Sequence, residues 1–171
     1  MDDFNLLVSY SWNIFNKARD EIAKILKEFG DDNPVIKRTI ARGIAGVKTK
    51  LDSREVVRKV RELFEKDPSQ INFAIKWIPV DNWCKSDLDE MKKIIKKIKV
   101  GIKKGEKWAM EVEKRRYTNY HTAEIIEELA KEIEEKVNLE HPDKIVRIDI
   151  LGQSAGISLL KPENIFSTGH P

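Results

Sequence analysis

The sequence holds a single cysteine, Cys84, in 171 residues, which excludes an internal disulfide framework and fits a reducing, cytoplasmic setting better than secretion. No stretch nears the roughly 18 consecutive apolar residues of a membrane span. The start, Asp2-Asp3, is acidic where a signal peptide is basic and then apolar, so no membrane partner is expected. His121, His141 and His170 stand far apart with Cys84 the only thiol, and no metal-site spacing results. No glycine-rich phosphate loop precedes a helix, and no acetyl-CoA or nucleotide motif is visible. Cys84 and His121 form a nucleophilic pair only if folding joins them. The sequence therefore assigns no catalytic residue, metal or cofactor, and leaves open a site assembled from scattered residues. It has no internal repeat or low-complexity segment.

What is present is a chain able to fold and rich in charge. With 40% hydrophobic residues it can bury one ordinary core or two small ones. Charged residues make up 36%, and Lys, Glu and Ile are plentiful, a composition suited to the ion-pair networks of heat-stable proteins. The net charge of +3 says less than its placement. Cys84–Tyr120 holds 12 Lys or Arg against 6 Asp or Glu, a balance of +6 that leaves the remainder at −3. Such a basic sector is the footprint of a polyanion binder, or simply a Lys-rich solvated helix face.

Phe4–Trp12 reads as a strand. Ile14, Ala18, Ile22, Ile25 and Phe29 recur at helical spacing and predict a helix over Ile14–Phe29, stopped by Gly30. The turn Asp31-Asp32-Asn33-Pro34 leads to a strand pair, Val35–Thr39 and Val47–Leu51, separated by Gly43 and Gly46. Asp52 caps a second helix and Glu55 reaches back to its start; Val56, Val60 and Phe64 face inward, and Asp67-Pro68 ends it. Ile71, Phe73, Ile75 and Trp77 then alternate with Asn72, Ala74 and Lys76 as a strand closed by Pro79. The order β-α-β-β-α-β is the ferredoxin-like arrangement, so an α+β domain is expected over residues 1–80.

Val80–Cys84 reads as a connector into a second unit spanning residues 81–166. Its first helix starts at Ser86-Asp87, with Leu88, Met91, Ile95 and Ile98 on one face and Lys92, Lys93, Lys96, Lys97 and Lys99 around the other. Gly101 and Gly105 bracket a basic turn. Trp108, Met110 and Val112 alternate with Glu111 and Glu113 along a strand that runs straight into Lys114-Arg115-Arg116. Thr122–Val137 is an amphipathic helix with Ile125, Ile126, Leu129, Ile133 and Val137 inward and a Glu-rich outer face that repels nucleic acid. After Pro142, Ile145–Leu151 and Ile157–Leu160 make a hairpin about Gly152–Gly156. The expected order is α-β-α-β-β, with a loose tail over residues 167–171.

Three pieces of this unit, EVEKRR at Glu111–Arg116, YTNYHTAEII at Tyr117–Ile126 and HPDKIVRIDILGQSAGISLL at His141–Leu160, follow one another in the order and spacing of a THUMP domain. From about Ser86 to Lys161 the chain resembles that RNA-binding module of tRNA-modifying enzymes, which a ferredoxin-like domain commonly precedes. GVKTKLDSREVV at Gly46–Val57 and IKWIPVDNWC at Ile75–Cys84 are similar to the stand-alone THUMP proteins that assist tRNA cytidine acetylation. The resemblance implies paired domains that hold the acceptor stem and 3′ CCA end of a tRNA. In the accessory branch it implies a separate acetyl-CoA- and ATP-dependent acetyltransferase as partner, which N4-acetylates a D-arm cytidine. The chain leaves no length for a methyltransferase, thiouridine synthase or pseudouridine synthase domain, so the expectation is an adaptor and not an enzyme. The alternative is a subunit of a split thiouridine synthase or methyltransferase.

Arg115 and Arg116 are the first candidates for phosphate contacts, because guanidinium groups make bidentate, charge-assisted bonds to phosphate oxygens. The alternative for them is an ion pair with the acidic helix that follows. Lys114, Lys103, Lys104 and Lys107 extend the same patch as point charges, whereas the Lys92–Lys99 run reads as a solvated face. Asn119, Tyr120 and His121 occupy the turn before a helix, where N–H groups receive a phosphate and a ring stacks on an unpaired base, or where they cap and pack. Lys161 follows the closing strand toward that surface, and Lys48, Lys50 and Lys76 line a groove between the domains or are solvated. Trp12, Trp77 and Trp108 suit burial, with Trp83 left open for stacking. Gly43-Ile44-Ala45-Gly46 has the spacing of a KH-type GXXG clamp but the wrong surrounding order, and reads as turn glycines.

Overall fold

The computed structural model describes residues 2–11 and 13–169. Trp12, which ends the expected first strand, and His170 and Pro171, which end the expected tail, lie outside the described residues. The chain forms two compact units, one from Phe4–Val80 with residues 163–169, the other from Asp81–Pro162 with residues 2–3.

The first unit runs β1 (Leu6–Tyr10), α1 (Phe15–Glu28), β2 (Val35–Arg38), β3 (Ile44–Lys48), α2 (Ser53–Lys66) and β4 (Ala74–Pro79). Its strands lie antiparallel in the order β2-β3-β1-β4, the ferredoxin-like arrangement that the element order predicts. Leu6, Val8 and Tyr10 of β1, Ala45 and Val47 of β3 and Trp77 of β4 meet Ala18, Ile22 and Ile25 of α1 and Val56, Val57 and Val60 of α2 in one core. The Asp52 carboxylate caps α2 by accepting the N–H groups of Arg54 and Glu55, each at 3.0 Å. Glu55 pairs with Arg58 at 2.8 Å.

Two strand starts differ from expectation, each for a local reason. Strand β3 begins at Ile44 and not Val47, because Gly43 turns the chain at a φ of 82° and Gly46 continues the strand. A Cβ on Gly46 would lie 2.3 Å from the Phe4 ring, so the two glycines serve a turn and a close ring contact. Strand β4 begins at Ala74 and not Ile71. The Glu21 carboxylate accepts the N–H groups of Asn72, Phe73 and Ala74 at 2.6–2.9 Å and draws that segment toward α1.

The second unit runs β5 (Asn82–Lys85), α3 (Leu88–Ile98), β6 (Trp108–Arg115), α4 (Thr122–Ala130), β7 (Lys144–Leu151) and β8 (Ser154–Leu160). The sheet order is β5-β8-β7-β6, with β6 parallel to β7 and the other pairs antiparallel. One sheet face, including Cys84, Met110, Val112, Val146, Ile148, Ile150, Ala155 and Ile157, packs on Met91 and Ile95 of α3 and Ile125 and Leu129 of α4.

Three expectations are corrected here. Val80–Cys84 is not a plain connector: Trp83 and Cys84 lie in β5, paired to β8, so the unit is β-α-β-α-β-β. The helix expected through Val137 ends at Ala130. Trp108 draws the following segment alongside β6 through Trp108 N–H to the Lys136 carbonyl at 3.1 Å, Asn138 N–H to the Trp108 carbonyl at 2.9 Å, and Trp108 Nε1 to the Glu135 carbonyl at 2.7 Å. Val137, expected inward, is 49% exposed. Finally, residues 166–167 are not the edge of the second unit and a loose tail. They form β9 (Phe166–Ser167), which pairs antiparallel with β4 and buries Phe166 against Phe64. The Arg61 guanidinium holds the approach by donating to the carbonyls of Glu163 at 2.7 Å and Ile165 at 3.1 Å. Among the described residues, no helix is long and apolar enough to cross a membrane.

Candidate nucleic-acid interface

Strand register assembles the site at one end of the second sheet. Arg115 pairs with Leu151, Leu151 with Ser154, and Ser154 with Lys85, so these four form a row across all four strands. Three strand spacings put its two cationic ends about 14 Å apart. The adjacent row is Lys114, Ile150, Ala155 and Cys84, and its last three members lie in the core beneath the helices. Successive strand residues point to opposite faces, so Lys114 and Arg115 do not share a patch. Lys114 is half-buried, and its ammonium donates to the Tyr120 carbonyl at 2.9 Å. It anchors the loop that follows.

Arg115 is half-buried and Arg116 exposed. Among the described residues no carboxylate pairs with either. The α4 side offers Glu128 to Lys92 and Lys131, and Glu132 to Lys96, so the ion pair with the following helix does not form. Arg116 has a φ of 59°, the one left-handed non-glycine residue among those described.

A circuit of hydrogen bonds fixes this end. Gly152 N–H donates to the Arg115 carbonyl at 2.9 Å, Ser86 Oγ to the Gly152 carbonyl at 2.7 Å, and the Tyr117 hydroxyl to the Ser86 carbonyl at 2.8 Å. Burial raises the Tyr117 pKa, and Tyr120 and Asp87 add to the effect, so the phenol remains a donor. Beside the circuit lies a cleft of about 420 Å³ lined by Lys85, Ser86, Asp87, Asn119, Gln153 and Ser154. Amides, hydroxyls and an ammonium there offer donors and acceptors to a base edge or a phosphate. Asp87 is the opposing charge, and its carboxylate also caps α3 by accepting Glu90 N–H at 2.8 Å.

The other expected residues divide. Asn119 is exposed in the cleft, Tyr120 is half-buried against the core, and His121 is the exposed residue before α4, its N–H donating to the Glu124 carboxylate at 3.1 Å. Lys103, Lys104 and Lys107 are exposed but precede β6. Eight residues of extended chain place Lys107 about 26 Å from Arg115, so these lysines do not extend the Arg115 patch. Lys161 follows Leu160, whose partner is Ile145 near the start of β7; it too lies at the far end. Lys48, Lys50 and Lys76 belong to the first unit. Lys48 and Lys76 share the sheet face away from α1 and α2, Lys76 half-buried beside Ser9, and Lys50 is exposed just after β3, between buried Thr49 and half-buried Leu51. The lysine run of α3 is largely engaged: Lys92, Lys93 and Lys96 pair with carboxylates, and Lys97 and Lys99 donate to oxygens of Asn82 and Glu132.

Trp77 and Trp108 are buried, and Trp83 is half-buried within β5. Burial pushes the Cys84 thiol up to about 11, with Glu90 and Asp87 adding to it, the opposite of an activated nucleophile. Sequence reasoning missed Lys85, Gln153 and Ser154. The alternation of Cys84 and Lys85 within β5 is the signal that could have found the first, and it was masked by the turn-like Asp81-Asn82.

The sequence model of the THUMP domain matches residues 85–160. No curated protein matches the chain in sequence. Among solved structures, PH1313 from Pyrococcus horikoshii Ot3 superposes with a TM-score of 0.69 at 16% identity, covering 93% of this chain and 55% of that one. TrmN from Thermus thermophilus gives 0.59 at 11%, covering 94% and 47%. A 4-thiouridine synthetase solved with RNA and bound ATP gives 0.54 at 16%, covering 96% and 42%. At these identities the likeness is one of fold. The chain spans about half the length of the solved proteins it matches.

Proposed function

We propose that this chain, which carries a THUMP domain over residues 85–160, is a tRNA-binding accessory protein of the cytoplasm with no catalytic site of its own. In this reading it holds the acceptor stem and 3′ CCA end of a tRNA and presents a D-arm cytidine to a separate N4-acetyltransferase. The observation that carries it is the pair Arg115 and Arg116, which no carboxylate pairs among the described residues, at the same end of the sheet as a polar cleft. Guanidinium groups so placed suit phosphates, while Asn119, Gln153 and Ser154 supply hydrogen bonds for an unpaired base. The adaptor accelerates its partner by positioning, since a substrate held in register makes the reaction nearly unimolecular.

Binding of whole tRNA and of tRNA lacking its CCA end, each with Arg115→Ala/Arg116→Ala, tests this reading. Both changes should weaken binding. The double variant should also flatten the slope of log K against log salt by about 1.4 for single-stranded contacts or 1.8 for duplex. Equal affinity in all cases rejects the site. The second reading, a subunit of a split thiouridine synthase or methyltransferase, is favoured by the similarity to part of a thiouridine synthetase. Modification of bare tRNA by the purified chain alone would select it.

A further inference from the structure

Strand β6 lies at the edge of its sheet, with β7 on one side and, among the described residues, no strand on the other. In a parallel pair, alternate residues turn both backbone groups toward the neighbour. Arg115 accepts from Gly152 on the β7 side, so Ala109, Glu111 and Glu113 share that side while Met110, Val112 and Lys114 direct their N–H and C=O outward. Trp108 belongs to the outward set, and both its groups are taken by residues 136 and 138 in a parallel bridge centred on Val137. The chain thus begins an added strand and abandons it after one bridge. Among the described residues, no hydrogen-bond partner meets the outward backbone groups of Met110, Val112 and Lys114, although the Met110 and Val112 side chains are buried beneath α4.

Helix α4 shapes the space beyond this edge. The ion pair Lys92–Glu128 at 3.4 Å turns one side of α4 to α3, and Lys96–Glu132 at 4.0 Å continues the contact just past its end. At about 100° per residue, Ile126 and Ala130 fall on the opposite side, over the free edge. Both are only partly buried there, and Val137 continues the apolar shelf. On the other face of β6, Glu111 and Glu113 are exposed. Glu111 pairs with Arg147 at 3.1 Å, and Glu113 has no cation among the described residues.

We propose that the free edge of β6 is a strand-addition site for an extended segment of a partner protein in which apolar residues alternate with Lys or Arg. The segment pairs its backbone with Met110, Val112 and Lys114, sets its apolar side chains on Ile126, Ala130 and Val137, and directs its cations to Glu111 and Glu113. The acidic rim disfavours RNA. It also disfavours a second copy, since antiparallel pairing of two β6 edges brings Glu111 and Glu113 against the same residues, and like charges directly opposite destabilise a sheet.

Residue-resolved amide hydrogen exchange of the full chain, alone and with a synthetic peptide alternating Val and Lys, tests the proposal. Alone, Met110, Val112 and Lys114 should exchange fast beside slow Ala109, Glu111 and Glu113. The peptide should slow the first three, a peptide alternating Val and Glu should not, and Glu113→Lys should weaken binding of the Val-Lys peptide by about fivefold to tenfold. Uniformly slow exchange along β6 in the monomer overturns the proposal, as does an open edge that the Val-Lys peptide leaves unchanged. Slowing that sets in with protein concentration alone assigns the edge to a second copy and overturns the choice of partner. None of these outcomes depends on tRNA affinity, so the site and the RNA reading fail separately.

Discussion

Arg116 holds a left-handed backbone conformation that costs an L residue with a side chain roughly 1 kcal/mol relative to glycine. The circuit through Gly152, Ser86 and Tyr117 supports the turn, at which Arg116 is exposed. Arg116→Gly should therefore raise the melting temperature by about 2–4 °C while weakening tRNA binding, a pairing of effects that calorimetry and a binding titration read separately. Asp31 illustrates the reverse economy of charge. Burial pushes its carboxyl up, but hydrogen bonds from the Thr49 hydroxyl and the N–H groups of Asn33 and Lys50 outweigh that and hold it below its ordinary 3.8. A carboxyl lowered on folding contributes stability that is complete above the unfolded-state value and is lost as pH falls through the folded-state one. Acid unfolding should thus steepen below about pH 4, and Asp31→Asn should flatten that limb of a stability-versus-pH curve while lowering stability at neutral pH.

The elements were legible where one periodicity dominated and illegible where tertiary hydrogen bonds intervened. Ile22 and Ile25 in α1 and Val56 and Val60 in α2 mark their helices from spacing alone, and all four are buried. Strand β5 was hidden because Asp81-Asn82 resembles a turn, although its pairing with β8 is what brings Lys85 to the site. The end of α4 depends on what Trp108 captures, which no local pattern records. The basic triplet is visible in the sequence but is not one patch: residues next to each other on a strand face opposite ways, so Lys114 anchors a loop while Arg115 takes the opposite face of the sheet. The cleft joins residues far apart in sequence and could not be inferred before the register was known. Its framework predicts that Tyr117→Phe, which leaves the Ser86 carbonyl unsatisfied, costs about 1–2 kcal/mol. The same variant should weaken tRNA binding severalfold without removing any cation, and an unchanged affinity would show that the circuit does not position the arginines.

At the scale of the molecule, composition overstated the available positive charge. The α3 lysines that give Cys84–Tyr120 its excess are largely bound to oxygens within the second unit, so total charge is a poorer guide than register. The path of the chain matters more. It leaves the first unit at Val80 and returns at Glu163, where Phe166 packs with Phe64 and β9 closes the side of β4. Phe166→Ala should destabilise the first unit by about 3 kcal/mol, with faster amide exchange in β4 and little change in β7 and β8. During synthesis this path imposes a delay: a ribosome must finish the inserted unit before it releases the strip that seals the earlier one. Until then Trp77 waits beside an unsealed border, so the half of the protein made first is the half completed last.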